Sequence, residues 1–173
     1  MAEQFLTHQL DNGLTLLAQR MEQVSSAAMT IALPAGASHD PADQAGAAAV
    51  TAEWLLRGAG DRDSRRLNEA LDDLGCQHHE DARSEHLVLT SAQLGRNLGK
   101  ALGIYADIVR RPTLPAGAFD ACRGLVAQSL DALEDEPMRM CNVLIREKFY
   151  PAPLGRNPLG HKDTLSAMTA DSL

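Results

Sequence analysis

The order of the apolar segments constrains the fold of this chain more than any other feature, because glycine and proline residues separate them into distinct blocks. Strand-like segments come first, two helix-like segments follow, two further strands come next, and helices occupy the remainder. That order is typical of an α+β domain, in which helices pack on one face of a mixed or antiparallel sheet. We therefore predict a single domain of this architecture over residues 1–173.

Local signals place the individual elements. Asn12 and Gly13 tolerate positive φ angles and predict a hairpin turn between two strands. Ser64 is predicted to cap a helix, and Pro137 is predicted to begin another in its first turn. Thr169 predicts the start of a helix at which the sequence stops, which indicates a piece of a longer protein. The predicted strands cover residues 10–18 (with the turn), 27–33, 76–82 and 85–94, and the predicted helices cover residues 44–56, 64–74, 98–110, 118–133, 137–149 and 164–168.

Composition narrows the class of protein. Aromatic residues make up only 3% of the chain, so the core is expected to consist of leucine, valine, isoleucine and alanine. The formal net charge of −7 argues against a nucleic-acid partner, which usually requires a basic surface. No apolar run is long enough to span a membrane, and residues 1–6 lack a basic segment followed by an apolar one. We expect a cytoplasmic protein with no membrane partner, or a periplasmic one if a signal peptide has been removed.

The cysteines do not indicate a disulfide framework. The chain has three cysteines, an odd number, and no two of them form a C-x-x-C pair. They are Cys76, Cys122 and Cys141. We predict free, buried thiols in a reducing compartment.

The spacing of the histidines excludes a helical zinc motif. No two of them lie four residues apart, so both H-E-x-x-H and the inverted H-x-x-E-H motif are absent. The chain also lacks a G-x-S-x-G nucleophile elbow and the glycine patterns of nucleotide-binding loops. The six histidines are His8, His39, His78, His79, His86 and His161.

One cluster of possible metal ligands remains, at His78, His79, Glu80 and Asp81. On a strand, His78 and Glu80 would face one way and the other two residues the opposite way, so a closed site would need ligands from elsewhere. The favoured interpretation is a polar edge strand, and a displaced metal site is the alternative.

The order of several short motifs resembles the N-terminal part of the insulinase/pitrilysin family of zinc peptidases, which includes mitochondrial processing peptidase. Residues 10–14 match the family's opening L-x-N-G-L, and residues 34–38 match the end of its small-residue strand. Residues 46–59 align with G-x-x-H-x-x-E-H-M-L-F-x-G-T, with Gly46, Leu55, Arg57 and Gly58 fitting the frame. Residues 71–85 and 149–160 match two later family segments, although residues 79–82 depart from the family's N-A-x-T.

The same resemblance implies where a zinc site would lie and that it is lost. The two zinc histidines correspond to Ala49 and Glu53, and the general-base glutamate corresponds to Ala52. The third zinc ligand, a glutamate on a later helix, corresponds to Ser129, and an earlier glutamate of that pattern falls near Cys122. We therefore expect no catalytic residue, no metal and no cofactor in this chain.

The resemblance implies a role beside an active relative, since some family members work as a zinc-bearing chain paired with a degenerate copy. We hypothesise a non-catalytic subunit that helps to form a peptide chamber and binds a homologous zinc-bearing peptidase subunit, or associates with itself. Zinc is then expected only in the active partner. The alternative is a structural or assembly protein, like the core subunits of respiratory complexes that share this fold. A peptidase with a displaced metal site is a third hypothesis.

Overall fold

A computed structural model describes residues 5–173 of the chain. The first four residues, which belong to the segment examined for a signal peptide, lie outside the described residues. The strands are β1 Phe5–Gln9, β2 Thr15–Gln19, β3 Ser26–Leu33, β4 Gly58–Ala59, β5 Arg62–Asp63, β6 Gln77–Ala82 and β7 Leu87–Leu94. The helices are α1 Ala47–Leu55, α2 Ser64–Asp72, α3 Leu98–Arg110, α4 Ala116–Ala132, α5 Pro137–Phe149 and α6 Lys162–Ala167.

The sheet is antiparallel, which confirms the predicted α+β class. Its strand order is β3-β7-β6, with β7 in the centre and paired to both neighbours. Strands β1 and β2 form a separate antiparallel hairpin, and β4 and β5 form a two-residue ladder. All pairings in the described part of the chain are antiparallel, so the mixed variant of the predicted sheet is not seen there.

Helices α1, α2 and α3 pack against one face of this sheet, as predicted. Their buried side chains, including Leu55, Leu67 and Tyr105, form one apolar cluster with Leu87 and Leu89 of β7. A second cluster joins the other side of α1 to α4 and α6. Helix α1 therefore lies between two cores. Both consist mainly of aliphatic and small side chains, as predicted, but Tyr105 belongs to the first, and Trp54 and Phe119 belong to the second.

The local predictions need four corrections. The hairpin predicted over residues 10–18 begins earlier, because its first strand is β1 and residues 10–14 form the turn. Helix α1 begins at Ala47 rather than at residue 44, because Gly46 has a φ of 101° that a helix cannot continue through. Asp63, not Ser64, is the N-cap of α2, and its carboxylate accepts a hydrogen bond from the Arg66 amide at 2.8 Å. Cys141 is exposed, because α5 has no buried residue, whereas Cys76 and Cys122 are buried free thiols as predicted.

Among residues 5–173, no helix combines the length and the apolar character needed to cross a membrane.

Candidate functional site

Helix α1 is held in place by a carboxylate from the preceding loop. The two oxygens of Asp40 accept hydrogen bonds from the amides of Gly46 (3.0 Å) and Ala48 (3.1 Å) at the start of the helix. Burial raises the pKa of Asp40 above its ordinary value, and those backbone hydrogen bonds oppose the rise. A guanidinium nitrogen of Arg156, over a hundred residues later, donates to the backbone oxygen of Asp40. The helix on which the family resemblance places the zinc motif is thus fixed at its N-terminus.

The alanines at two of the candidate catalytic positions are buried in the two cores. Ala49 is 6% exposed and belongs to the cluster shared with α4, whereas Ala52 is 4% exposed and belongs to the cluster on the sheet. A methyl group offers neither a lone pair to a metal nor a proton to a substrate. These two positions therefore serve packing in this chain.

Glu53 is the one carboxylate left on this part of α1, and it is engaged by a neighbour. Its Oε2 lies 3.4 Å from Nη2 of Arg57, one helical turn later. The Nε–H of the same guanidinium points to the sulfur of Cys122 on α4, at 3.3 Å. Arg57 thus contacts both Glu53, at the position of the family's second zinc histidine, and Cys122 on α4, and no metal is needed for either contact.

Helices α1 and α4 are also joined by aromatic residues. The indole N–H of Trp54 donates to the backbone oxygen of Pro115 at 3.0 Å. The same ring packs edge-on against Phe119, with 5.1 Å between the ring centroids. The structure therefore brings together the two helices on which the family resemblance places the zinc ligands.

Ser129 lies on α4 and is exposed to solvent. A neutral hydroxyl is a poor substitute for the glutamate that the family has there, because zinc prefers anionic oxygen, thiolate or imidazole ligands. Together, Ala49, Glu53 and Ser129 offer one carboxylate, which is already paired with an arginine. These residues do not fit a zinc ion.

The histidine-rich strand β6 forms one edge of the sheet, as predicted. His78 and Glu80 share a face, and Nδ1 of the imidazole lies 2.8 Å from Oε1 of the carboxylate. On the other face Asp81 pairs with Arg83 at 3.2 Å, and His79 is exposed. Among residues 5–173, no three histidine, cysteine, aspartate or glutamate side chains are grouped as metal ligands. A displaced metal site at β6 stays a prediction.

An open groove of about 520 Å³ lies between α4 and the start of α2, beside Arg57. Its floor is mainly apolar, and Asp63 and Ser64 form its polar end. The groove and the contact between Arg57 and Cys122 were not predicted from the sequence, because both join segments that are far apart in the chain. The two residues of the contact are 65 positions apart. The apolar residues that line the groove are Pro115, Ala118, Ala121 and Leu125.

Comparisons with known proteins identify peptidases that are similar to this chain in sequence or in fold. An uncharacterized zinc protease of Rickettsia felis is 27% identical over 99% of this chain and 42% of its own length. A probable mitochondrial-processing peptidase subunit beta of Schizosaccharomyces pombe is 23% identical over 96% of this chain and 37% of its own. The crystal structure of a peptidase M16 inactive domain from Pseudomonas fluorescens superposes with a TM-score of 0.81, at 18% identity, over 96% of this chain and 41% of that one. The chain thus spans about two fifths of the length of these proteins.

The family of this chain is identified by a match over most of its sequence. The family model for insulinase, peptidase family M16, covers residues 15–161. That range includes β2, the whole of α1 and α4, and the loop that follows α5. The chain therefore belongs to the insulinase family of peptidases.

Proposed function

We propose that this chain is a non-catalytic part of an insulinase-type zinc peptidase, which contributes to a peptide chamber and binds a zinc-bearing homologue. One observation carries the proposal: the family frame is kept, while Ala49 and Ala52 are packed into cores and Glu53 is paired with Arg57. The Schizosaccharomyces pombe relative is named as a peptidase subunit, and the Pseudomonas fluorescens structure is titled an inactive domain. Both names are compatible with a partner role for this chain.

The chemistry of the site supports a role without catalysis. A catalytic zinc ion needs about three protein ligands, and it activates a water molecule with help from a nearby base. The residues at the corresponding positions supply a single carboxylate and no base. Zinc is therefore expected in the partner rather than in this chain.

The edge strand β6 supports a contact with peptides. An extended peptide can pair with the free edge of a sheet through main-chain hydrogen bonds, and neighbouring side chains then select its sequence. Within residues 5–173, strand β6 pairs with β7 alone, and α1 packs beside it. Because His79, Glu80 and Ala82 stand where the family has the asparagine, alanine and threonine of N-A-x-T, we expect this chain to favour different peptides from its active relatives.

Reconstitution with an active relative tests the proposal. The chain would be mixed with a zinc-bearing homologue from the same organism, and hydrolysis of a fluorogenic peptide would be followed. We expect no hydrolysis by the chain alone and an increase of about tenfold or more in kcat/KM when the two are combined. Chelation should abolish the combined activity. Hydrolysis by the chain alone that a chelator abolishes would overturn the proposal.

The exposed apolar surface of the chain favours a second candidate, a structural or assembly protein. Phe5, Leu17, Met138 and Phe149 are each more than two thirds exposed, which indicates surfaces that are covered in a larger assembly. This candidate predicts co-purification in a large complex and no effect on peptide turnover in the mixing experiment. The partner role instead requires a zinc-bearing homologue among the co-purified proteins.

A displaced metal site at β6 can be tested separately. If His79 were a ligand, His79→Ala would lower the metal content of the purified protein. His86→Ala provides a matched control, since His86 is also exposed and lies in the turn between β6 and β7. Unchanged metal content in both variants would remove this candidate.

A further inference from the structure

The outward face of α5 is apolar and exposed to solvent. Met138, Ile145 and Phe149 recur at helical spacing and are 78%, 57% and 77% exposed. The opposite side of the helix faces the protein, where Met140 and Glu147 line a cavity of about 230 Å³ together with side chains from the end of α4. An exposed apolar stripe that is rimmed by polar residues is typical of an interaction surface.

The stripe follows the spacing of a coiled-coil seam. Met138, Asn142, Ile145 and Phe149 are separated by four, three and four positions, which is the alternation of the d and a positions of a heptad repeat. All four are exposed, and we call them the α5 seam. Asn142 is its polar member, and an asparagine at an a position selects the register of paired helices.

Cations lie on both sides of the α5 seam. Arg139 and Arg146 each follow a seam residue by one position and so lie on one side, whereas Lys148 precedes the last seam residue and lies on the other. Arg139 pairs with Glu136 at 3.0 Å, while Arg146 donates to the hydroxyl of Ser84. The two sides of the seam therefore carry an excess of positive charge, although the formal net charge of the chain is −7.

This charge pattern distinguishes between the possible occupants of the seam. A second copy of the chain would bring more cations to the sides of the seam and no carboxylate at these positions, so no ion pair between the helices could form. An anionic membrane would attract these cations but repel a chain whose net charge is −7. An acidic helix would contact the seam and its cations alone, and it would gain the attraction without that repulsion.

We propose that the α5 seam binds an acidic amphipathic helix of a partner protein. The partner helix supplies apolar side chains to the apolar members of the seam, a polar side chain opposite Asn142, and carboxylates beside the flanking cations. The inference does not rest on the proposed function, because the seam lies on α5 and the positions of the lost zinc site lie on α1 and α4.

The thiol of Cys141 provides a direct measure of occupancy. Cys141 is exposed and adjoins the seam residue Asn142, whereas Cys76 and Cys122 are buried, so alkylation by iodoacetamide should modify Cys141 selectively. The probe is a synthetic three-heptad peptide with leucine at the a and d positions, one central asparagine at an a position, and glutamate at e and g. At about ten times its dissociation constant, this peptide should slow the alkylation of Cys141 about tenfold, as measured by mass spectrometry.

Matched peptides and variants separate this mode of binding from adsorption to an apolar surface. A peptide with lysine in place of each glutamate should leave the alkylation rate of the wild type unchanged. Arg139→Glu/Lys148→Glu should bind the glutamate peptide about tenfold more weakly and should bind the lysine peptide instead. Arg96→Glu/Lys100→Glu changes the net charge equally at exposed positions near the start of α3 and should behave like the wild type.

Four outcomes would overturn the inference. The first is an unchanged alkylation rate at the highest soluble concentration of the glutamate peptide. The second is equal protection by the two peptides, which would indicate adsorption without charge selection. The third is protection by vesicles of phosphatidylserine and phosphatidylcholine but not by the glutamate peptide. The fourth is slower alkylation as the concentration of the chain alone rises, which would assign the seam to a second copy.

Discussion

At the scale of single residues, Asp40 shows how a side chain from a preceding loop fixes the helix on which the family resemblance places the zinc ligands. The first amides of a helix lack partners within the helix, and Asp40 satisfies two of them from a loop that precedes Gly46. Arg57 acts in a comparable way at the other end of α1, where it bonds to both Glu53 and Cys122. The frame of the lost site is therefore maintained by contacts that need no metal.

Replacement of Asp40 tests this role. Asp40→Ala removes both hydrogen bonds to the amides of α1 and should lower the free energy of unfolding by about 1–2 kcal/mol. Asp63→Ala is the matched control, because that residue caps α2 through one exposed hydrogen bond and should cost at most about 1 kcal/mol. Urea unfolding followed by circular dichroism measures both changes. Equal and negligible losses in the two variants would contradict a special role for Asp40.

At the scale of helices and strands, regular segments with clear end signals could be predicted from sequence. Helices α3 and α5 have the predicted bounds, because apolar periodicity is strong in α3 and Pro137 marks the start of α5. The start of α1 could not be predicted, since it depends on Gly46 and on Asp40 through tertiary contacts. Strands β4 and β5 were missed because each is two residues long, and because the backbone of Gly58 in β4 and of the adjoining Gly60 is bonded to residues 111–113, about fifty positions later.

In the candidate site, too, some features could be predicted from the sequence and others could not. Histidine spacing alone excludes both helical zinc motifs, and the family frame locates Ala49, Ala52, Glu53 and Ser129. Three other features could be found only in the three-dimensional structure. They are the burial of the two alanines, the exposure of Ser129 and the hydrogen bond from Arg57 to Cys122. Pairings between distant segments carry no local signal in one sequence.

The contact between α3 and β7 gives a prediction for alkaline pH. Tyr105 is fully buried, and its hydroxyl donates to the backbone oxygen of Thr90 at 3.3 Å. Burial raises the pKa of Tyr105 to about 12 from an ordinary value of 10.0. The folded protein therefore holds this proton more tightly than the unfolded chain, and the resulting stability, up to about 3 kcal/mol, is lost as the pH rises from 10 through 12.

Tyr105→Phe should remove this alkaline loss. The variant is expected to be about 1 kcal/mol less stable than the wild type at pH 8, because it lacks the hydrogen bond to Thr90. Its stability should then change less between pH 10 and 12. Thermal unfolding across that range provides the comparison, with Tyr150→Phe as a control at an exposed position. Identical alkaline profiles for the wild type and Tyr105→Phe would show that another group is responsible.

At the scale of the whole molecule, the fold of an insulinase-type domain is present without the residues of its metal chemistry. Alanine favours helices and fills the space beside Phe119 and Val126, so the helix can lose its ligands and still pack well. The apolar side chains of the β1–β2 hairpin are exposed, which is compatible with the proposed binding of further protein. The role that we propose for the molecule is that of a scaffold for binding, within a family that includes zinc proteases.

The zinc content of the purified chain tests this account most directly. The wild type would be saturated with zinc, passed through gel filtration and analysed by mass spectrometry for metal per chain. The variant Ala49→His/Ala52→Glu/Glu53→His/Ser129→Glu, which restores the family residues, serves as the positive control. We predict almost no retained zinc in the wild type and about one zinc ion per chain in the restored variant. Near-stoichiometric zinc in the wild type would contradict the account.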